Sequence, residues 1–181
     1  MLAQAVLMAG TDTTRNQLAC SMALFAEHPA QWKLMAERPD VAARAVEESM
    51  RYLGAVQATV RFASEDIVYR DVLFPQGTIV STALVGANRD PEVWDRPDDF
   101  DITQERGTAQ MTFGSGIHFC LGAALARAEL QEALPLLAQR MPGLTLGGPV
   151  EWKPANFGIW GPAKLPLRFE PAPSGAPDTG R

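Results

Sequence analysis

Residues 113–122 read Phe113-Gly114-Ser115-Gly116-Ile117-His118-Phe119-Cys120-Leu121-Gly122. Three glycines bracket one cysteine, and an apolar pattern free of glycine starts directly after them. Leu125, Leu130, Leu134 and Leu137 fall near one face, which predicts a helix over 121–139. Cys120 then sits where a tight loop enters a helix N-terminus. Unpaired N–H groups and the positive dipole end there favour a thiolate over a thiol. Gly114 and Gly116 permit backbone conformations and close approaches that a Cβ would block. A thiolate in an N–H-lined loop is a good ligand for a soft or intermediate metal centre. A free cysteine taken alone is more often an inert, buried small hydrophobe. The loop around Cys120 therefore carries the reading, and the residue type does not.

A second cluster lies at Ala9-Gly10-Thr11-Asp12-Thr13-Thr14, in the middle of a helix predicted over 2–28 and ended by Pro29. Leu18, Met22 and Phe25 give that helix an apolar face in its second half. Glycine and three threonines are poor helix-interior residues, and local rules broken together mark either a functional site or a polar surface turn. A third feature is Glu48-Ser49-Met50-Arg51, within a helix predicted over 40–53 that stops at Gly54. Glu48 and Arg51 share a helix face, and an exposed pair of this spacing contributes only about 0.2–0.5 kcal/mol. Arg61 stands in an alternating strand over 58–63, where a solvated arginine is the plain reading. His118 by itself is a hydrogen-bonded loop histidine.

The elements that must position these residues form a mainly α chain with small β-sheets. A short helix is expected over 30–37, between Pro29 and Pro39. Two or three short strands are expected over 66–85, with Pro75-Gln76-Gly77 as a turn. Asn88-Arg89-Asp90-Pro91 should open a short helix over 92–95, and 95–112 reads as an ordered meander rich in Pro, Asp and Gly. Pro135 should kink or end the helix that follows Cys120, since it cannot donate to residue 131. Short strands are expected over 144–152, 156–160 and 165–169, and a disordered tail over 170–181.

With 181 residues and 46% hydrophobic content the chain can bury a real core. Its net charge of -5 and the absence of a basic stripe argue against nucleic acid as a partner. Asp12 and Arg15 interrupt the N-terminal apolar run, so nothing reaches the ~18 uncharged apolar residues of a membrane span. There is no basic n-region or cleavage site, and the chain reads as cytoplasmic. Cys20 lies inside the first helix and reads as core. Two cysteines and two histidines, scattered, do not make a zinc site.

The string from Phe113 to Gly122 resembles the haem-binding loop of the cytochrome P-450 family, Phe-Gly-x-Gly-x-His-x-Cys-x-Gly, at every fixed position. The resemblance runs over most of the chain, from residue 2 to about 169. It implies the haem-binding, C-terminal portion (1–169) of a soluble bacterial-type member, and haem b with Cys120 as its axial thiolate. Such a ligand pushes electron density onto iron and favours O–O cleavage. Asp12 and Thr13 match the family's acid–alcohol pair: the Thr13 hydroxyl bonds iron-bound oxygen, Asp12 relays protons, and Gly10 leaves the gap beside it. Arg61 and His118 match propionate donors. Phe113 should shield the sulfur, and Gly114 and Gly122 shape the loop. Glu48 and Arg51 match a buried structural pair that braces the meander and does no chemistry, with Glu47 an exposed neighbour. Where the family often supplies a third partner, the string here is Pro97-Asp98-Asp99-Phe100, without the arginine; Arg96 and Arg106 remain open. Arg127 reads as pairing with Glu132 or with nothing.

The implied activity is a haem-thiolate monooxygenase that inserts one oxygen atom of O2 into a small apolar organic substrate. Electrons come from NAD(P)H through a ferredoxin or similar donor. Ala5, Ala9, Ala55, Val56 and the region near Ile159 are the expected substrate contacts. Two alternatives stand beside it: a peroxygenase using hydrogen peroxide, whose members commonly replace the acid–alcohol pair, and a truncated haem-binding remnant without turnover. Family members are more than twice this length, so the isolated chain is expected to oxidise substrate poorly.

Overall fold

The computed structural model describes residues 2–154 and 158–171, with no account of the side chains of residues 2, 3 and 5. Five helices carry it: α1 (Leu2–Glu27), α2 (Pro29–Glu37), α3 (Ala42–Tyr52), α4 (Leu84–Ala87) and α5 (Ala123–Arg140). Eight short strands pair as four antiparallel ribbons. They are β1 (Ala58–Phe62) with β4 (Ile79–Ala83), β2 (Ile67–Tyr69) with β3 (Val72–Phe74), β5 (Thr145–Leu146) with β8 (Leu167–Arg168), and β6 (Glu151–Trp152) with β7 (Pro162–Lys164). The mainly α chain with small sheets is the architecture expected. Among the described residues no helix is long and apolar enough to cross a membrane.

One core joins the second half of α1 to α2, α3 and α5. Phe25, Trp32, Met35, Val46, Met50, Ile102, Leu130 and Leu134 fill it, each almost completely buried. Between α1 and α3 the buried Ser21 and Ser49 hydroxyls bond at 3.0 Å. Pro29 at the first position of α2 fits a helix start, because its missing N–H is unneeded there. The Trp32 ring N–H donates to the Met141 carbonyl at 2.9 Å, which pins α2 to the end of α5.

Four local expectations are corrected. Residues 92–95 form a turn, not a helix, and the short helix is α4, directly after β4. The Asp90 carboxylate accepts from the Glu92 N–H at 2.9 Å and the Asp90 carbonyl from the Trp94 N–H at 2.8 Å. That single turn buries the Trp94 ring, and Arg96 at φ +46° keeps it from propagating. Of the kink or end expected at Pro135, the end does not occur: α5 runs on to Arg140. A helix-interior proline costs about 3 kcal/mol. The buried Leu130 and Leu134 each return about 1.5–3 kcal/mol, so packing wins. The strand expected over 144–152 divides into β5 and β6 at Gly147-Gly148-Pro149, where glycine and proline weaken a ladder. Glu47 and Arg127, read as exposed and as unpaired or paired to Glu132, pair instead with each other. Of the strand expected over 156–160, Ile159 bridges to Val56; residues 155–157 lie outside the described residues, as does the expected tail from 172 onward. At the tail's start, the Glu170 N–H donates to the Pro142 carbonyl at 2.8 Å.

The meander 95–112 is held by one buried ion cluster. Glu48 and Arg51 are 4% and 2% exposed. Arg51 Nε and Nη2 donate to the two Glu48 carboxylate oxygens at 2.8 and 2.9 Å. Arg106 donates to the same two oxygens at 2.8 and 2.9 Å, so Arg106 is the third partner. Arg96 turns to Asp99 instead. The remaining Arg51 donors reach the carbonyls of Asn88, Pro97 and Asp99 at 3.1, 2.7 and 2.8 Å. Burial pushes the Glu48 carboxyl up, but the two guanidiniums more than offset it and hold it below its ordinary value.

Arg51→Ala should therefore destabilise the chain by about 3–5 kcal/mol in urea unfolding, the usual loss when one partner of a buried pair is removed. The sign of the pH dependence follows from the depressed carboxyl. Glu48's contribution is complete above its ordinary value of 4.5 and is lost as pH falls through the lower folded value. Stability should therefore start to fall as pH drops below 4.5 and lose the whole contribution below the folded value, which unfolding midpoints measured between about pH 3 and 7 check.

Candidate cofactor site

The loop before α5 is shaped by its backbone. Gly114 and Gly116 take φ of +72° and +66°, a region that side chains rarely adopt. Residues Gly116–His118 make one 3-10 turn, closed by the Phe119 N–H on the Gly116 carbonyl at 3.0 Å. The Cys120 N–H donates to the Phe113 carbonyl at 3.0 Å, which folds the loop back on itself. The helix begins at Ala123, two residues later than expected, because 121–122 form a turn. Cys120 is exposed, and among the described residues its sulfur has no hydrogen-bond partner. Gly122 lies against it: a Cβ there would stand 3.9 Å from Sγ.

A cavity of about 640 Å³ opens over this sulfur. It brings together Cys120, Phe113, Gly114, Gly122, His118, Arg61 and Thr13. Most of the remaining wall is apolar, including Val6, Ala9, Met50, Leu121, Leu125 and Leu130. Ala9, Ala55 and Val56, expected at the substrate, line it as well. The side chain of Ala5 lies outside the described residues. Asp12 is not in the wall: its carboxylate accepts from Arg15 at 2.5 Å and from Asn16 at 3.2 Å. The Thr13 hydroxyl donates to the Ala9 carbonyl at 2.6 Å, and the Thr11 hydroxyl bonds the Leu7 carbonyl. Glu48 and Arg51 stand apart, in the ion cluster.

The donor set suits a flat, mostly apolar cofactor with anionic arms. The His118 ring has no partner among the described residues, and Arg61 spends one donor on the neighbouring Val60 carbonyl at 2.9 Å. Both are exposed and keep donors for carboxylates at the rim of an apolar cavity lined by one thiol, that of Cys120. These residues fit haem: a soft ligand, an apolar slot and two anion donors.

Three supports had no motif to reveal them. The Gln17 amide, buried in α1, donates to the Leu53 carbonyl at 3.2 Å and accepts from the Ala55 N–H at 2.8 Å, fixing that cavity edge. Thr112 packs so close to Gly54 that a Cβ there would meet its hydroxyl at 2.6 Å. Arg127 donates to both Glu47 oxygens at 2.6 and 3.1 Å and lies 4.5 Å from the Phe113 ring centroid. The Glu47 hydrogen bond, foremost, and the negative charges of Glu47 and Cys120 raise its pKa. Cys20 is fully buried near the Trp160 carbonyl, and burial pushes its thiol up to about 12.

Residues 1–141 match the family model for cytochrome P450. Luteothin monooxygenase of Streptomyces thioluteus is 44% identical over 93% of this chain and 41% of its own length. The biotin biosynthesis cytochrome P450 of Bacillus subtilis (strain 168) is 43% identical over 90% of this chain and 41% of its own. The structure of cytochrome P450 CYP109Q5 from Chondromyces apiculatus superposes with a TM-score of 0.88 at 33% identity, covering 94% of this chain and 44% of that one. The chain thus spans about two fifths of the length of these relatives.

The two thiols should separate cleanly. In the folded chain only Cys120 should react with a disulfide reagent between pH 7 and 9, because Cys20 stays protonated and buried. Counting thiols with Ellman's reagent should give one per chain when folded, none for Cys120→Ala, and two in denaturant.

Proposed function

The chain belongs to the cytochrome P450 family, and on that premise we propose that it is the haem-thiolate part of a monooxygenase acting on an apolar organic substrate. One observation carries the reading: the Cys120 sulfur, two donors with capacity to spare and the Thr13 hydroxyl meet in a single apolar cavity. Haem b, when bound, supplies the redox chemistry that reduces dioxygen and delivers one of its oxygen atoms to the substrate. The electrons come from NAD(P)H through a ferredoxin or similar donor, in the cytoplasm.

Cys120 is the ligand. The loop holds its backbone by the bond to Phe113, and Gly122 stands beside the sulfur. Phe113, itself buried, keeps water from the sulfur's protein side. Arg61 and His118 hold the two propionates by charge-assisted hydrogen bonds. Ala9, Ala55 and Val56 give the substrate a wall of small apolar side chains. Thr13 Oγ1 spends its proton on the Ala9 carbonyl and keeps its lone pairs for a water in the cavity. Asp12, half-exposed outside the cavity wall and paired with Arg15, is turned away from Thr13 on the helix, so a proton taken from solvent passes between the two through water and not along one helix face. Both members of the pair are present, which favours dioxygen over peroxide as oxidant.

The test is the spectrum of the haem-loaded, dithionite-reduced protein under carbon monoxide. A red-shifted, thiolate-type Soret band is expected, absent in Cys120→Ala; a histidine-type band indifferent to Cys120 would refute the assignment. Arg61→Ala and His118→Ala should each weaken haem retention roughly tenfold or more, since a hydrogen bond to a charged group contributes about 1.5–3 kcal/mol. Haem titration of the two variants measures it.

A further inference from the structure

Glu47 and Arg127 lie 80 residues apart in sequence and on different helices, yet they form a two-pronged ion pair. Their helices are fixed: α3 carries the buried Val46 and Met50, and α5 the buried Leu130 and Leu134. The pair is 31% exposed at Arg127 and 37% at Glu47, so it adds little to global stability. Its position is more telling. The guanidinium lies over the Phe113 ring, 4.5 Å from the centroid, and Glu47 orients it there. Gln110, just before the loop, donates to the same Glu47 carboxylate at 3.2 Å. Phe113 in turn accepts the Cys120 N–H through its carbonyl. A continuous path therefore runs from α3 through Glu47, Arg127 and Phe113 to the backbone of Cys120.

We propose that Arg127 is a positioning residue: anchored by Glu47, it clamps the Phe113 ring and thereby fixes the backbone that aims the Cys120 sulfur into the cavity. The clamp itself is independent of cofactor; its bearing on ligation rests on the haem-thiolate reading above. Phe113 is the loop's only large side chain that is buried, whereas Ile117, Phe119 and Leu121 are exposed. The loop consequently has one hold on the core at its start, and the cation closes over that hold. Arginine suits the task because one planar fork can stack on a ring while pairing with a carboxylate edge-on.

Amide hydrogen exchange on the chain without haem tests this. In Arg127→Gln, peptides spanning 113–122 should exchange at least tenfold faster, with less than twofold change in peptides from the cores of α1 and α3. Glu47→Gln, which keeps the guanidinium but loosens its anchor, should give the same local pattern at smaller amplitude and serves if the first variant fails to fold. Unchanged exchange at 113–122 in both variants, or an equal rise across the whole chain, would overturn the proposal. A Cys120→Ala protein that kept its haem spectrum would instead defeat the ligand assignment and leave the clamp standing, so the two failures are distinguishable.

Discussion

The Glu48 carboxylate, gripped by Arg51 from its own helix and by Arg106 from the far end of the meander, is the constraint on which the rest hangs. Two guanidiniums use both carboxylate oxygens, and the Asp101 N–H adds a third approach at 3.1 Å. The donors left over on Arg51 take up carbonyls of a segment with no ladder or helix of its own. An irregular chain satisfies its backbone groups only if something else supplies partners. Here a single buried ion cluster does so. Among the described residues no buried side-chain nitrogen or oxygen is left without a partner. The cluster gives the meander one path, and that path delivers residue 113 to the foot of α5.

From there the loop works by backbone geometry. Positive φ at Gly114 and Gly116 turns the chain tightly enough for the Phe113 carbonyl to receive the Cys120 N–H. The cysteine emerges at the mouth of a helix and faces a cavity instead of the core. Cys20 makes the contrast: the same side chain, packed inside α1 against the Trp160 carbonyl, is pushed to a pKa of about 12 and is inert. Environment, and not residue type, separates the two.

Across the cavity, α1 supplies the opposite wall, and its polar middle is secured from outside. Asn16 is 4% exposed; its amide donates to the Asp12 carbonyl at 2.7 Å, and its oxygen accepts from Lys153 Nζ at 2.7 Å. Gly161 passes so near that a Cβ would meet the Asn16 oxygen at 2.8 Å. The hydroxyls of Thr11 and Thr13 turn back onto carbonyls four residues earlier, which satisfies these two donors inside the helix.

What the sequence determined by itself is the local grammar. Glycines around Cys120, prolines at helix starts and the period of the apolar residues are short-range signals, and they located four of the five helices, the main strands and the ligand loop. Fold class was legible for the same reason. Tertiary structure decided whatever depends on partners distant in the chain. Glu-x-x-Arg reads identically whether exposed or buried; only the packing of the meander made it a buried cluster and chose Arg106 over Arg96. Glu47 and Arg127 carry no signal toward each other across 80 residues. Pro135 obeys a local rule that says stop, yet the core face on either side of it outweighs one missing hydrogen bond. Asp12 and Thr13 are neighbours in sequence, but helical geometry turns them apart, one into the cavity wall and one toward Arg15 and Asn16. Local rules weigh one residue against its immediate backbone; burial and charge pairing are settled only when distant segments meet.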